Sequence, residues 1–285
     1  METALTPAPP PPPPYPPPAR TTLPGPDWPW WYGPVALLAG VIVGGVIGAI
    51  VITVAGISLD APAATVIGTL IADAFVVAAA VAFASLVAFP RLRHFGLRAT
   101  ALWPAVGWTA LAIVTFLVFG ALYEVLLHPD VEQTVSEDLG ADRGAFGLIV
   151  AGVVVTCVAP LAEEIFFRGF LYRAMRSRLP LIIAAMVSGL LFGVVHWDFS
   201  TSEMLLVVPP LSVLGMLLCL LYERTGSLYP CIAWHALNNC LAYAVATDSE
   251  DGWRVVVVTG PLMLLGCVVA PWLQQRRRSE PAAFA

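Results

Sequence analysis

Long apolar runs separated by short polar segments dominate the chain after residue 34. Eight such runs lie at residues 35–57, 63–89, 102–126, 145–172, 180–197, 204–222, 228–247 and 254–273. Most are close to the ~20 residues that a helix needs to cross about 30 Å of hydrocarbon. Glycine is frequent within them, as in membrane helices that pack closely. The pattern predicts an all-α polytopic membrane protein with about eight transmembrane helices.

Composition agrees with a membrane protein. Of the 285 residues, 59% are hydrophobic and 12% are charged, whereas soluble domains carry about a quarter charged residues. All 14 basic residues are arginine, and this bias, with abundant Ala, Gly, Pro and Val, favours a GC-rich bacterial source. The net charge of −5 gives no argument for a nucleic-acid partner. The five cysteines lie in apolar stretches without a CxxC and read as buried hydrophobes.

Three regions are predicted along the chain. Residues 1–27, which contain "PAPPPPPPYPPPAR", form a proline-rich tail that cannot pack a core and is expected to be disordered. Residues 28–274 form the eight-span membrane domain, and residues 275–285 form a basic tail. The proline-rich tail has two interpretations, a plain cytoplasmic tail or a docking site for a proline-binding partner.

The distribution of arginine predicts the orientation. With the N-terminus in the cytoplasm, the inner segments hold Arg20, Arg91, Arg93, Arg98, Arg173, Arg176, Arg178, Arg224, Arg276, Arg277 and Arg278. The outer loops then hold only Arg143 and Arg254. Cytoplasmic loops carry an excess of basic residues, so we predict a multi-pass protein of the cell membrane with both termini in the cytoplasm.

Ionisable residues inside apolar spans are costly and usually functional. The fourth run contains "AEEIFFR", with Glu163, Glu164 and Arg168, while His196 lies in the fifth run and His235 in the seventh. Glu163 and His196 reach the same depth if the fourth span continues as one helix to a turn at residues 179–180. At 1.5 Å per residue both then lie about 24–26 Å from that turn. We therefore expect these side chains and His235 to converge in one cavity, which opens to the cytoplasm.

Residues four positions apart suggest local roles. Glu164 and Arg168 share one helical face, with the glutamate placed N-terminally, which is the better orientation for an ion pair. Glu163 points about 100° away and lacks that partner, which leaves it available as a general base. His235 is followed four residues later by Asn239, which could orient the imidazole or help to hold an oxyanion.

Three segments resemble the motifs of a known family. "EEIFFR" at 163–168, "FGVVH" at 192–196 and "HALNN" at 235–239 are similar to those of the CPBP intramembrane proteases. That family includes the CAAX prenyl proteases, also called Rce1-like or Abi enzymes. The resemblance covers a motif core at residues 145–245 and does not extend to the proline-rich tail or the first three spans.

The resemblance implies hydrolysis of a peptide bond within the membrane by a glutamate-activated water. The implied catalytic residues are Glu163, which activates the water, His196, which assists it, and His235 and Asn239, which stabilise the oxyanion. The implied supporting residues are Glu164, Arg168 and Phe192. The expected substrate is a membrane-associated peptide or protein in the lipid bilayer. A bacterial host would lack prenylated CAAX proteins, so the eukaryotic substrate is not implied.

The resemblance leaves the metal requirement open. Glu163, His196 and His235 could supply a His₂Glu zinc set. The chain has no HExxH, however, and a glutamate with a histidine can activate water alone. We therefore expect no obligatory cofactor, with zinc as the alternative.

Two other functions compete with proteolysis. Intramembrane Asp, Glu and His also serve as proton relays, so a transporter or proton-coupled channel is one alternative, and Asp73 in the second span suits it. Structural bracing is the other reading of Asp73, through Arg168 or a neighbouring helix. A catalytically idle membrane scaffold is the remaining alternative. Transport or scaffolding would survive Glu163→Gln, whereas proteolysis would not.

Overall fold

The computed structural model describes residues 23–129, 134–197, 203–247 and 249–279. Helices account for most of these residues, and no strand occurs among them. Residues 1–22 of the predicted proline-rich tail (1–27) and residues 280–285 of the basic tail lie outside the described residues.

The main helices follow the order of the predicted apolar runs. They are α1 (Tyr32–Val54), α2 (Pro62–Ser85), α3 (Leu102–Leu127), α4 (Ala145–Arg176), α5 (Leu181–Val194), α6 (Val208–Thr225), α7 (Tyr229–Thr247) and α8 (Glu250–Ser279). Short helical segments at Leu92–Phe95, Val135–Asp138 and Glu203–Val207 lie between them.

Six of the described helices are long and apolar enough to cross a membrane, namely α1, α2, α3, α4, α6 with its preceding turn, and α8. Helix α5 is apolar but has only 14 residues. Helix α7 has 19 residues, and His235 and two asparagines lower its hydropathy. The prediction of an all-helical polytopic membrane protein is confirmed. The two helices that are too short or too polar to count among these six are α5, which leads to His196, and α7, which carries His235.

Helix α4 is the central element. It contacts α1, α2, α5, α6, α7 and α8. It continues without a break through Gly169 to Arg176, in agreement with the prediction that the fourth span is one helix up to a turn at residues 179–180. Two of its segments, Val154–Val158 and Phe167–Tyr172, are π-helical. Pro160, which has no N–H to donate, lies two residues after the end of the first of them. Such wider turns are frequent at functional sites, and here they flank Ala159–Phe166, which carries both glutamates.

Close backbone approach joins α5 to α6. A Cβ added to Gly189 would lie 2.7 Å from the nitrogen of Met216, and one added to Gly193 would lie 2.5 Å from the carbonyl oxygen of Val208. Small residues at such an interface let helix backbones touch. This contact fixes the position of the end of α5, from which His196 projects.

Residues 23–28, where the predicted N-terminal tail meets the membrane domain, pack against α4. Trp28 is 1% exposed, and its ring centroid lies 4.9 Å from that of Phe170 and 5.3 Å from that of Phe95. The guanidinium carbon of Arg173 lies 5.0 Å from the Trp28 ring centroid, and Arg173 donates to the carbonyl of Pro26. Leu23 is also buried. The packed structure therefore includes residues 23–28.

Candidate active site

The carboxylate of Glu163 lies between two histidines from two other helical segments. Its Oε1 is 3.8 Å from Nε2 of His196, and its Oε2 is 3.7 Å from Nε2 of His235. Glu163 and His196 are partly buried, and His235 is 2% exposed. The structure thus brings these three side chains together. Both separations exceed a direct hydrogen bond, so the carboxylate and the imidazoles face one another across a small gap.

The other nitrogen of each imidazole is fixed by an acceptor. Nδ1 of His196 lies 2.6 Å from the carbonyl oxygen of Phe192, four residues earlier on α5. A carbonyl can only accept, so this Nδ1 carries a proton. Nδ1 of His235 lies 2.8 Å from Oε1 of Glu164. Each histidine therefore presents Nε2 to Glu163 in a set orientation.

Glu164 and Arg168 form the predicted ion pair. Arg168 donates from Nη1 to Oε1 of Glu164 at 2.7 Å, and both side chains are buried. Arg168 also donates from Nη2 to the carbonyl of Gly215 at 3.3 Å, and its Cζ lies 4.4 Å from the ring centroid of Phe192. Glu164 therefore connects Arg168 to His235, and Arg168 connects α4 to α6.

Three side chains on one face of α7 bind α4. His235 contacts Glu164, while Asn239 donates from Nδ2 to the carbonyl of Val155 at 3.0 Å and Tyr243 donates to the carbonyl of Leu148 at 2.6 Å. Successive members are four residues apart, so they lie on one helical face. Val155 belongs to the first π-helical segment of α4. Glu164 therefore orients His235, and the amide of Asn239 binds the Val155 carbonyl.

Tyr243 belongs to this face but was not predicted from the sequence. The available signal was the four-residue spacing of His235, Asn239 and Tyr243 along one predicted helix. The spacing alone does not identify the carbonyls of Val155 and Leu148 as acceptors. Those acceptors depend on how α7 packs against α4.

Several carboxylate oxygens at the site are buried without a hydrogen-bond partner among the described residues. They are Oε2 of Glu163, Oε2 of Glu164 and Oδ2 of Asp73. Asp73, on α2, interacts electrostatically with Glu163 and His196. The cation of the site, Arg168, is bound to Glu164, so the structure does not support its pairing with Asp73. A water or a substrate N–H is the type of donor these oxygens can accept.

The donor atoms at Glu163 also suit a metal chemically. Two imidazole nitrogens and one carboxylate oxygen are a known zinc set, in which bonds of 2.0–2.1 Å hold ligand atoms about 3.3 Å apart. The observed separations are 3.7 Å and 3.8 Å. Among the described residues, no group of three or more His, Cys, Asp or Glu has an arrangement that could hold a metal ion. The donor types fit zinc better than their spacing does.

Comparisons with known proteins agree with the resemblance. The sequence model of the family described as "Type II CAAX prenyl endopeptidase Rce1-like" matches residues 145–241. The chain is 28% identical over 154 residues to "Uncharacterized protein YyaK" of Bacillus subtilis (strain 168), covering 52% of this chain and 50% of that protein. It is 30% identical over 87 residues to "Putative membrane peptidase YdiL" of the same organism, covering 30% of this chain and 33% of that protein.

The chain therefore spans half the length of one curated relative and a third of the other. No solved structure matches it significantly. The matched segment runs from the start of α4 into α7, and it contains the whole of "EEIFFR", "FGVVH" and "HALNN". Residues 145–241 are therefore similar to the Rce1-like family of type II CAAX prenyl endopeptidases.

Proposed function

We propose that this multi-pass membrane protein is an intramembrane endopeptidase that hydrolyses a peptide bond of a membrane-associated protein or peptide. The observation that carries the proposal is the Glu163 carboxylate, which faces Nε2 of His196 and of His235 at 3.8 Å and 3.7 Å. A carboxylate beside two oriented imidazoles is a general-base arrangement. The similarity of residues 145–241 to an endopeptidase family supports the same chemistry.

Glu163 is the proposed general base. It accepts a proton from a water molecule, and the water oxygen forms a bond to the carbonyl carbon of the substrate. His196, partly exposed and held by the Phe192 carbonyl, assists this step through Nε2. The proton on Glu163 then passes to the leaving nitrogen as the C–N bond breaks, which restores the carboxylate.

His235 and Asn239 are proposed to stabilise the oxyanion. Glu164 accepts from Nδ1 of His235, which fixes the ring with Nε2 facing the site. Asn239 uses one amide hydrogen on the Val155 carbonyl and has a second to donate. Arg168 and Phe192 keep Glu164 and the imidazoles in place. Preorganised donors of this kind are typically worth about 10²–10³ in rate.

We propose that Glu163 and His196 activate water without an obligatory metal. If zinc is bound, Glu163, His196 and His235 are the residues that would hold it, and it would polarise the water. The two versions differ in their response to chelators. They agree that Glu163 is essential.

The test compares purified wild-type protein with Glu163→Gln on a library of quenched fluorescent peptides in detergent. We expect Glu163→Gln to lower the cleavage rate by about 10²–10⁴-fold, because it removes the base and keeps the shape of the side chain. Glu124→Gln makes the same chemical change at an exposed position of α3 and should cleave like the wild type.

Equal cleavage by wild type and Glu163→Gln would reject Glu163 as the base. No cleavage by the wild type, together with substrate flux that survives Glu163→Gln, would favour the transporter. Activity lost in a zinc chelator and restored by zinc would replace the metal-free version with the zinc version. Unchanged activity in the chelator would support the metal-free version.

A further inference from the structure

Asp73 is a partly buried carboxyl group that the proposed reaction does not use. It lies in the middle of α2, which packs against the segment of α4 that carries Glu163. Its electrostatic interactions with Glu163 and His196 indicate that it lies near both side chains. Its Oδ2 is buried and accepts no hydrogen bond from the described residues.

An acceptor in this condition costs folding free energy, because it has given up water without gaining a donor. Pairing with Arg168 does not account for Asp73, since Arg168 donates to Glu164 and to the Gly215 carbonyl. Oε2 of Glu163 is likewise buried and accepts no hydrogen bond from the described residues. In the proposed reaction, that atom receives its donor from the attacking water.

The substrate of an intramembrane endopeptidase brings further donors. The carbonyl under attack must leave any helix in which it is paired, and unwinding frees N–H groups beside it. Within the hydrocarbon region an unpaired N–H is costly, so the protein must supply an acceptor. A buried carboxylate oxygen next to the general base meets that need.

We propose that Asp73 anchors the substrate, with Oδ2 accepting a hydrogen bond from a backbone N–H of the peptide segment bound beside Glu163. The inference rests on the proposed function, since it concerns the substrate of the same site. Asp73 acts on binding and position, and Glu163 remains the group that moves the proton.

The test measures binding separately from cleavage. Fluorescein-labelled transmembrane peptides of about 20 residues are titrated by anisotropy against the full chain carrying Glu163→Gln, alone and combined with a change at Asp73. Adding Asp73→Leu should weaken binding about 10- to 100-fold, because a hydrogen bond to a charged group is lost. Asp73→Asn keeps a carbonyl oxygen in the same place and should lose less. Thr69→Val, one helical turn earlier on α2, is the matched control.

A second measurement separates anchoring from a structural role. Each N–H of the tightest-binding peptide is replaced in turn by N-methyl. One position should weaken binding to protein with Asp73 and have no further effect with Asp73→Leu, since contacting groups are not additive. Asp73→Leu should also keep or raise the unfolding temperature, because it removes an unsatisfied acceptor, whereas loss of a bracing residue would lower it.

Equal binding with and without Asp73→Leu, or losses that add at every N-methyl position, would overturn the anchor. If peptides are cleaved by the wild type but bind independently of Asp73, the anchor fails and the proposed function stands. If they bind in an Asp73-dependent manner and are not cleaved, the proposed function fails and the anchor stands. A panel that binds none of the proteins overturns the anchor.

Discussion

Glu164 shows how one residue can serve two charged partners. Its Oε1 accepts from Arg168 at 2.7 Å and from His235 at 2.8 Å, and the side chain is fully buried. A buried ion pair contributes little net stability, but removal of one partner leaves an uncompensated charge. The pair therefore holds the imidazole of His235 at the cost of making the site sensitive to either substitution.

Arg168→Met is expected to lower the free energy of unfolding by about 3–5 kcal/mol, because Glu164 loses its cation in a buried position. Denaturation in mixed detergent micelles measures the change. Arg254→Met removes an exposed arginine that pairs with Asp251 at 2.6 Å, and it should change stability by less than about 1 kcal/mol.

The double variant Glu164→Gln, Arg168→Met separates stability from activity. It removes both charges, so it should recover most of the stability lost by Arg168→Met. Cleavage should stay at least about 10-fold below the wild type, because a neutral Gln binds Nδ1 of His235 less strongly than a carboxylate does. Equal instability of the single and double variants would show that the charge on Glu164 is not the cause.

Sequence spacing predicts contacts within one helix better than contacts between helices. The Glu164–Arg168 pair and the common depth of Glu163 and His196 follow from helix geometry. The hydrogen bond from His235 to Glu164 joins residues 71 positions apart. Spacing along α7 had instead offered Asn239, four residues after His235, as one candidate to orient the imidazole. The π-helical segments could not be predicted, since they depend on packing around α4 as well as on Pro160.

At the scale of the element, the contact between α5 and α6 sets the position of His196. Gly193 lies three residues before His196, and a Cβ there would meet the backbone of Val208. Gly193→Ala should therefore push the end of α5 away and lower cleavage by about 10²-fold, as displacements of about 1 Å can do.

Cleavage rate and unfolding temperature are compared between Gly193→Ala and Gly107→Ala. A Cβ at Gly107, on α3, would meet nothing within 4 Å, so that change should leave cleavage intact and stabilise its helix slightly. An active Gly193→Ala protein with wild-type rates would mean that the α5–α6 contact does not position His196.

At the scale of the whole molecule, the crossing number decides the orientation of the site. Six described helices meet the length and hydropathy of a span, and α5 and α7 are shorter or more polar. Helix α5 leads to His196, and helix α7 carries His235. The polar side chains of α7 account for its low hydropathy. If α5 and α7 both cross, the number of crossings is even, and the termini share one side of the membrane.

The arginine distribution then predicts that this side is the cytoplasm. Epitope tags on both termini should be lost when inverted membrane vesicles are treated with protease, and both should survive in intact spheroplasts. A tag inserted beside Arg143, in a predicted outer loop, should behave in the opposite way. Tags on opposite sides would mean that either α5 or α7 does not cross the membrane. If α5 is that helix, it must re-enter from one face for Glu163 and His196 to keep their 3.8 Å separation.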